Sequence, residues 1–189
     1  MERALIISDA PKAMKFFKDF LSANGYDKIK LAATAEEGRQ AMEEFSPDIC
    51  VINAPLGTES GEELSIELAA EVSCQVILFV KDDYFEDIAS NVEKEGVICL
   101  SKPVSVSMFY QALGFAEAAD SRMKNACAEI KRLERKLSEV RVVNHAKSIL
   151  MSQKDMTEAE AHRYIEKTAM DRRVSRGQVA EEIIDFYTD

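Results

Sequence analysis

Five short apolar runs, each followed by a stretch of helical periodicity, constrain this chain more than any other feature. The runs at residues 4–7 (ALII), 29–33 (IKLAA), 49–52 (ICVI), 76–80 (VILFV) and 97–100 (VICL) are mostly continuous rather than alternating in polarity. Strands with apolar side chains on both faces belong in the middle of a parallel sheet covered by helices. Parallel neighbours also need long crossovers, usually helical. The spacing therefore predicts a doubly wound α/β domain with a five-stranded parallel sheet over residues 1–116. Helix starts are signalled by Pro11 and by two capping boxes, Thr34 with Glu37 and Ser60 with Glu63. Such sheets bind ligands beyond the carboxyl ends of their strands. The residues to inspect are thus Ser8 and Asp9, Asn53, Val80 to Asp83, and Ser101 to Pro103.

From about Ser105 the pattern changes to uninterrupted helix, with no Gly or Pro between Gly114 and Gly177. With Phe109 as position a, the a and d series runs Phe109, Ala112, Ala116, Ala119, Met123, Ala126, Ile130, Leu133, Leu137, Val140, until Asn144 and Lys147 break it. The first part is expected to pack on the sheet as its last helix. Residues 117–140 are expected to form a coiled-coil linker helix, dimerising through Met123, Ala126, Ile130, Leu133, Leu137 and Val140. A parallel pair would set Glu129 against Glu134 and Lys136 against Arg141, like charges in both cases, so the orientation stays open. The remainder reads as an all-α three-helix bundle over residues 129–189. Thr157 with Glu160 caps one helix, with Ala161, Ile165, Thr168 and Ala169 inward. Ser175 with Gln178 caps the next, with Val179, Ile183 and Phe186 inward. Lys147 either extends its ammonium from the bundle edge or belongs to a ligand-contacting set.

Charge divides the chain along the same line. Residues 1–120 hold 22 acidic and 10 basic side chains, the remainder 12 and 14, within an overall net charge of −10. Such asymmetry suggests modules with different partners. The 47% apolar content, with 7 Gly and 4 Pro, excludes disordered and fibrous classes. No apolar run approaches the roughly 18 residues of a membrane span, and the amino-terminal residues lack a basic stretch followed by a signal-peptide core, so a cytoplasmic protein without a membrane partner is expected. Cys50, Cys74, Cys99 and Cys127 form no CxxC pair and read as buried reduced thiols. The densest basic cluster, Arg163, Lys167, Arg172, Arg173 and Arg176, faces only Glu166 and Asp171 within its own segment. By itself a mixed Arg/Glu helix is usually a solvated face.

Residues 1–116 resemble the receiver domain of response regulators, through the turn ISDAP after the first strand, the segment DICVINAPLGTESGEEL around the third, and Lys102-Pro103 after the fifth. The resemblance implies a site in which two acidic residues after strand one and an aspartate ending strand three hold Mg²⁺. That aspartate would accept a phosphoryl group from a histidine kinase, and a Ser/Thr after strand four and the Lys would respond. Here the positions read Ser8 and Asp9, Asn53, Val80 and Lys102. One carboxylate is missing, an amide is no phosphoryl-accepting nucleophile, and a lone Asp beside a neutral Asn is a poor Mg²⁺ site. The expectation is a degenerate pocket in a pseudo-receiver with no metal or cofactor, in which Asp9 and Lys102 form an ion pair and Asp83 caps the following helix.

Residues 129–187 resemble the ANTAR domain, the three-helix output module of AmiR- and NasR-type antitermination regulators. The runs AKSILM, TEAEAHRYIEKTAMDRR and VAEEII place Ala146, Lys147, Leu150, Met151, Ala161, Ile165, Met170, Val179 and Ala180 at matching positions, with Ser148 where many relatives carry Gly. That resemblance implies binding to hairpins in nascent leader transcripts. The implied RNA-binding set is Lys147, Arg163, Tyr164, Lys167, Arg172, Arg173 and Arg176, with Tyr164 and His162 available for stacking. The expected protein is a non-enzymatic two-component regulator acting in transcription antitermination, a homodimer, open to control by a regulatory protein partner. Alternatives are a protein-interaction or sequestering module without RNA activity, and a DNA-reading helix-turn-helix using the turn Asp171 to Val174.

Overall fold

The structure, a computed structural model, describes residues 3–71 and 74–188. The elements are β1 Arg3–Ile7, α1 Pro11–Ala23, β2 Lys28–Ala32, α2 Ala35–Phe45, β3 Ile49–Asn53, α3 Glu62–Ala69, β4 Gln75–Lys81, α4 Phe85–Val92, β5 Ile98–Lys102, α5 Val106–Lys154, α6 Glu158–Arg172 and α7 Arg176–Thr188. The chain forms two compact units, Met1–Asn125 and Ala126–Asp189, and α5 contributes to both.

In the first unit the five strands pair in parallel in the order β2-β1-β3-β4-β5. Successive side chains on a strand point to opposite faces, so the continuous apolar runs supply two cores at once. Leu5, Ile7, Cys50, Ile52, Val76 and Leu78 face α2, α3 and α4. Ala4, Ile6, Ile49, Val51, Ile77 and Phe79 face α1 and the start of α5. The edge strand β2 differs, with Lys28 exposed and Lys30 paired to Glu44 at 2.7 Å, which suits an edge that must not recruit another strand.

Three helix starts depart from the sequence expectation. The Thr34 hydroxyl accepts from the Glu37 amide, but Glu37 reaches the Ala33 amide instead of closing the box on Thr34. The Ser60–Glu63 box does not form. The helix begins one residue later behind Gly61, whose φ is +80° and where a Cβ would lie 3.0 Å from that of Ala54. Ser60 accepts only from the Glu62 amide. Asp83 does not cap α4 either, because Asp82–Tyr84 forms a 3₁₀ turn and Tyr84 precedes the helix without a side-chain cap.

The opening turns of α5 bury Phe109, Ala112, Leu113 and Ala116. The Phe109 ring stacks on Phe20 at 4.2 Å between centroids and meets Phe17 and Phe79 edge-on at 5.5 and 5.1 Å. Two further ties follow along the helix: Tyr26 donates its hydroxyl to Glu117 at 3.3 Å, and Lys124 bridges buried Asp120 at 3.0 Å and Asp48 at 3.2 Å.

In the second unit Ala146 and Leu150 of α5 pack with Ala161, Ile165 and Ala169 of α6 and Val179 and Ala180 of α7. Helix α5 ends at Asp155, whose φ is +51°, and Thr157 then opens α6 with a complete capping box to Glu160. Phe186 is not on the inner face of α7 as its spacing suggested. It stands 76% exposed, and Ile183 and Ile184 complete that face.

Cys50, Cys74 and Cys99 are buried, whereas Cys127 on α5 is only half-buried. Burial pushes the Cys50 thiol up, that of Cys74 up to about 12 and that of Cys99 up to about 11, leaving little thiolate at neutral pH. A thiol reagent should therefore modify Cys127 first in the native protein, and the other three only on unfolding. Phe109→Ala should destabilise the first unit by about 3–5 kcal/mol in urea titrations followed by fluorescence or circular dichroism.

Candidate functional site

At the carboxyl end of the sheet, Ser8 follows β1, Asn53 ends β3 and Lys102 ends β5, and these three are joined by hydrogen bonds. The Lys102 ammonium donates to Asn53 Oδ1 at 3.1 Å and also to the Ala54 carbonyl. Asn53 Nδ2 donates to Ser8 Oγ at 3.0 Å, and Ser8 Oγ accepts from the Ala10 amide at 3.2 Å. Ser8 and Val80 are fully buried and Asn53 nearly so. Desolvation lowers the pKa of Lys102, repulsion from Lys81 adds to this, and attraction to Asp9 partly offsets it.

The expected Asp9–Lys102 ion pair is not made. Asp9 is exposed and accepts from the Gly57 amide at 3.1 Å, while Lys102 is engaged by the amide oxygen and the carbonyl on β3 and just beyond it. Asp82, next along from β4, accepts from the Ser101 hydroxyl. A Mg²⁺ ion does not suit this donor set: Asp9 is the carboxylate at these positions, the Ser8 hydroxyl is neutral, and the Asn53 oxygen already faces an ammonium group.

The second unit carries the basic side chains. Lys147 has its stem buried, 14% exposed, and its ammonium 2.8 Å from Glu158. Arg172 makes a bidentate pair with Glu182. Arg176 lies 3.3 Å from Glu166 and 3.9 Å from Glu139. Arg173 takes the left-handed position that ends α6, with φ +55°. Arg163 and Lys167, one turn apart on α6, are exposed and have no ion-pair partner among the described residues. They share a hollow with Tyr164 and Lys154.

The sequence-derived set is thus brought together only in part. Arg163, Tyr164 and Lys167 stand side by side, Arg172 borders a neighbouring hollow with Tyr164, and Lys147 and Arg176 line a separate one with His162. Lys154, 5.5 Å from the Tyr164 ring centroid, was not singled out. Its signal was present in the sequence, a cation in the last turn of α5 just ahead of a capping box. Along α5, Met123, Ile130, Leu133, Leu137 and Val140 are between 45 and 54% exposed, and Ala126 is exposed with them.

Against known families, residues 4–114 match the response regulator receiver domain. The chain belongs to that family. Residues 131–184 match the ANTAR domain, so this response regulator carries an ANTAR module behind its receiver, and such proteins are regulators rather than known enzymes. The transcriptional regulatory protein PdtaR of Mycobacterium tuberculosis is 26% identical over 187 residues, spanning 97% of this chain and 89% of that one. Among solved structures, a receiver domain protein from Clostridium thermocellum superposes with a TM-score of 0.57 at 22% identity, over 67% of this chain and 99% of its own. A CheY-like receiver domain protein from Methanospirillum hungatei gives 0.56 at 22% identity, over 66% and 98%. At that identity the likeness is one of fold, and it covers the five-stranded unit. No helix among the described residues is long and apolar enough to cross a membrane.

The ion pairs of the ANTAR module carry a pH dependence. Lys147 holds the Glu158 carboxyl below its ordinary range, hydrogen bonds from Thr157 do the same for Glu160, and Arg172 does so for Glu182. A carboxyl with a lowered folded-state pKa contributes stability that is present above its unfolded pKa and lost as pH falls through the folded value. The amide resonances of this unit should therefore report weakened packing below about pH 4.5. In Lys147→Met the Glu158 titration, followed by carbon NMR, should move back up.

Proposed function

We propose that this response regulator binds hairpin RNA in leader transcripts and promotes transcription antitermination, without phosphoryl transfer at the usual receiver position. The observation that carries the reading is the ANTAR match over a three-helix unit whose α6 presents Arg163 and Lys167 outward with no carboxylate partner among the described residues. The transcriptional role named for its M. tuberculosis relative agrees with it. Cations of this kind supply affinity for phosphates and leave selectivity to contacts with bases. Arg173 joins them as an exposed cation. Lys147, Arg172 and Arg176 serve mainly to brace the helices, and reach RNA only by exchanging a carboxylate for a phosphate.

In the receiver, an amide at position 53 is no nucleophile for a phosphoryl group, and Lys102 already donates to it. Control then falls to abundance, a ligand or a protein partner. The protein works in the cytoplasm as a homodimer through the α5 stripe from Met123 to Val140, whose large apolar side chains stand about half exposed in the single chain. The same stripe favours a second reading, in which the chain pairs with or sequesters another regulator and has no RNA activity.

Incubation with acetyl phosphate and Mg²⁺ should add no phosphoryl mass to the intact protein. Purified protein should bind a tandem-hairpin leader RNA from its own operon without a phosphodonor, with affinity falling as salt rises, as counterion release requires. Arg163→Ala with Lys167→Ala should weaken this binding and reduce the slope of log affinity against log salt by about 1–2. Binding of a folded sample to no hairpin above unrelated RNA would transfer the function to the protein-interaction reading.

A further inference from the structure

The end of α7 exposes aromatic surface that its own core does not use. Phe186 is 76% exposed, and its ring meets that of Tyr187 edge-on with centroids 4.9 Å apart. On α6, Tyr164 is 41% exposed with the Lys154 ammonium near its ring. These three aromatic side chains border one hollow of about 300 Å³, floored by buried Leu150 and Val179. On its rim the Arg172 guanidinium is held in a fixed plane by both oxygens of Glu182.

A second hollow, of about 420 Å³, carries Arg163 and Lys167, and with Lys154 these three cations outnumber its two carboxylates, Asp155 and Glu160, the latter engaged by Thr157. Tyr164 and Lys154 belong to both hollows. They therefore form a ridge between an aromatic compartment and a cationic one.

We propose that this divided surface holds one unstacked nucleotide of an RNA loop, its base against Tyr164 and Phe186 and its phosphate over Arg163 and Lys167. The inference rests on the RNA-binding reading and gives it a specific contact. Bases stack on aromatic rings and on guanidinium planes once they leave a helix, and phosphates pair with cations. Arg163 and Lys167 make no ion pair among the described residues although Asp155 and Glu160 line the same hollow, and a purely apolar occupant would leave them so, whereas a nucleotide satisfies both compartments. A base still paired in a duplex cannot enter, so the site prefers loops to stems.

The test uses the full-length chain and a hairpin selected for binding from a pool with a fixed stem and a randomised loop. 2-Aminopurine is placed at each loop position in turn, and the loop-free duplex serves as comparison. Binding should change the fluorescence at one loop position and leave stem positions unaffected. Phe186→Ala and Tyr164→Ala should each weaken hairpin binding by about ten-fold, within the range for one lost stacking contact. The salt slope should stay unchanged, and Phe186→Tyr should restore affinity. Because Phe186 is so exposed, its replacement should leave the circular dichroism and melting curve intact, which separates loss of contact from loss of fold. If the wild-type protein binds the hairpin while Phe186→Ala and Tyr164→Ala bind it equally well and no 2-aminopurine responds, the nucleotide site is overturned and the RNA reading survives. If the wild type retains no hairpin from the pool, the RNA reading falls and the site with it.

Discussion

Helix α5 supplies side chains to the core of each unit, and different stretches of its surface do different work. Its first turns are fixed by Phe109 among the rings of Phe17, Phe20 and Phe79. Its last turns lend Ala146 and Leu150 to a separate core. Between them lies an apolar stripe that neither core covers. A small three-helix unit has little surface to bury by itself, and Ala146 and Leu150 of α5 supply part of the core it has. Absence of Gly and Pro after Gly114 lets the helix run until Asp155, where a left-handed residue and the capping box behind it stop α5 and start α6.

The pocket at the carboxyl end of the sheet is organised around one ammonium group and neutral partners. With Asn53 ending β3, the Lys102 ammonium has an amide oxygen and a backbone carbonyl as acceptors, and the Asn53 NH₂ group passes the chain of hydrogen bonds on to Ser8. Among the described residues no buried side-chain nitrogen or oxygen lacks a partner. A buried polar network that is fully satisfied favours one arrangement strongly, and this one is satisfied by the protein's own groups.

The sheet was legible because its signal is collective: the apolar runs of the inner strands report burial on both faces, and neighbouring runs agree with one another. What the sequence concealed were features decided by single contacts between distant residues. Nothing local to Ser60 says that Gly61 must lie against Ala54 and so displace the helix start by one residue. The periodicity of α7 put Phe186 inward, yet the core is already filled by Ala180, Ile183 and Ile184. Likewise the basic residues were easy to count, but whether each was spoken for depended on Glu158, Glu166 and Glu182, each on a different helix from the cation it holds.

That last feature changes what the basic cluster means. An arginine already joined to a glutamate cannot reach another anion without changing partners and leaving a carboxylate that must find water. Such an exchange is governed by fit, since it is favoured where the new partner matches the geometry of the old one. Arg172 and Arg176 are thus already held, by Glu182 and Glu166, and the cations of α6 that have no carboxylate partner among the described residues, Arg163 and Lys167, are fewer than the composition suggests.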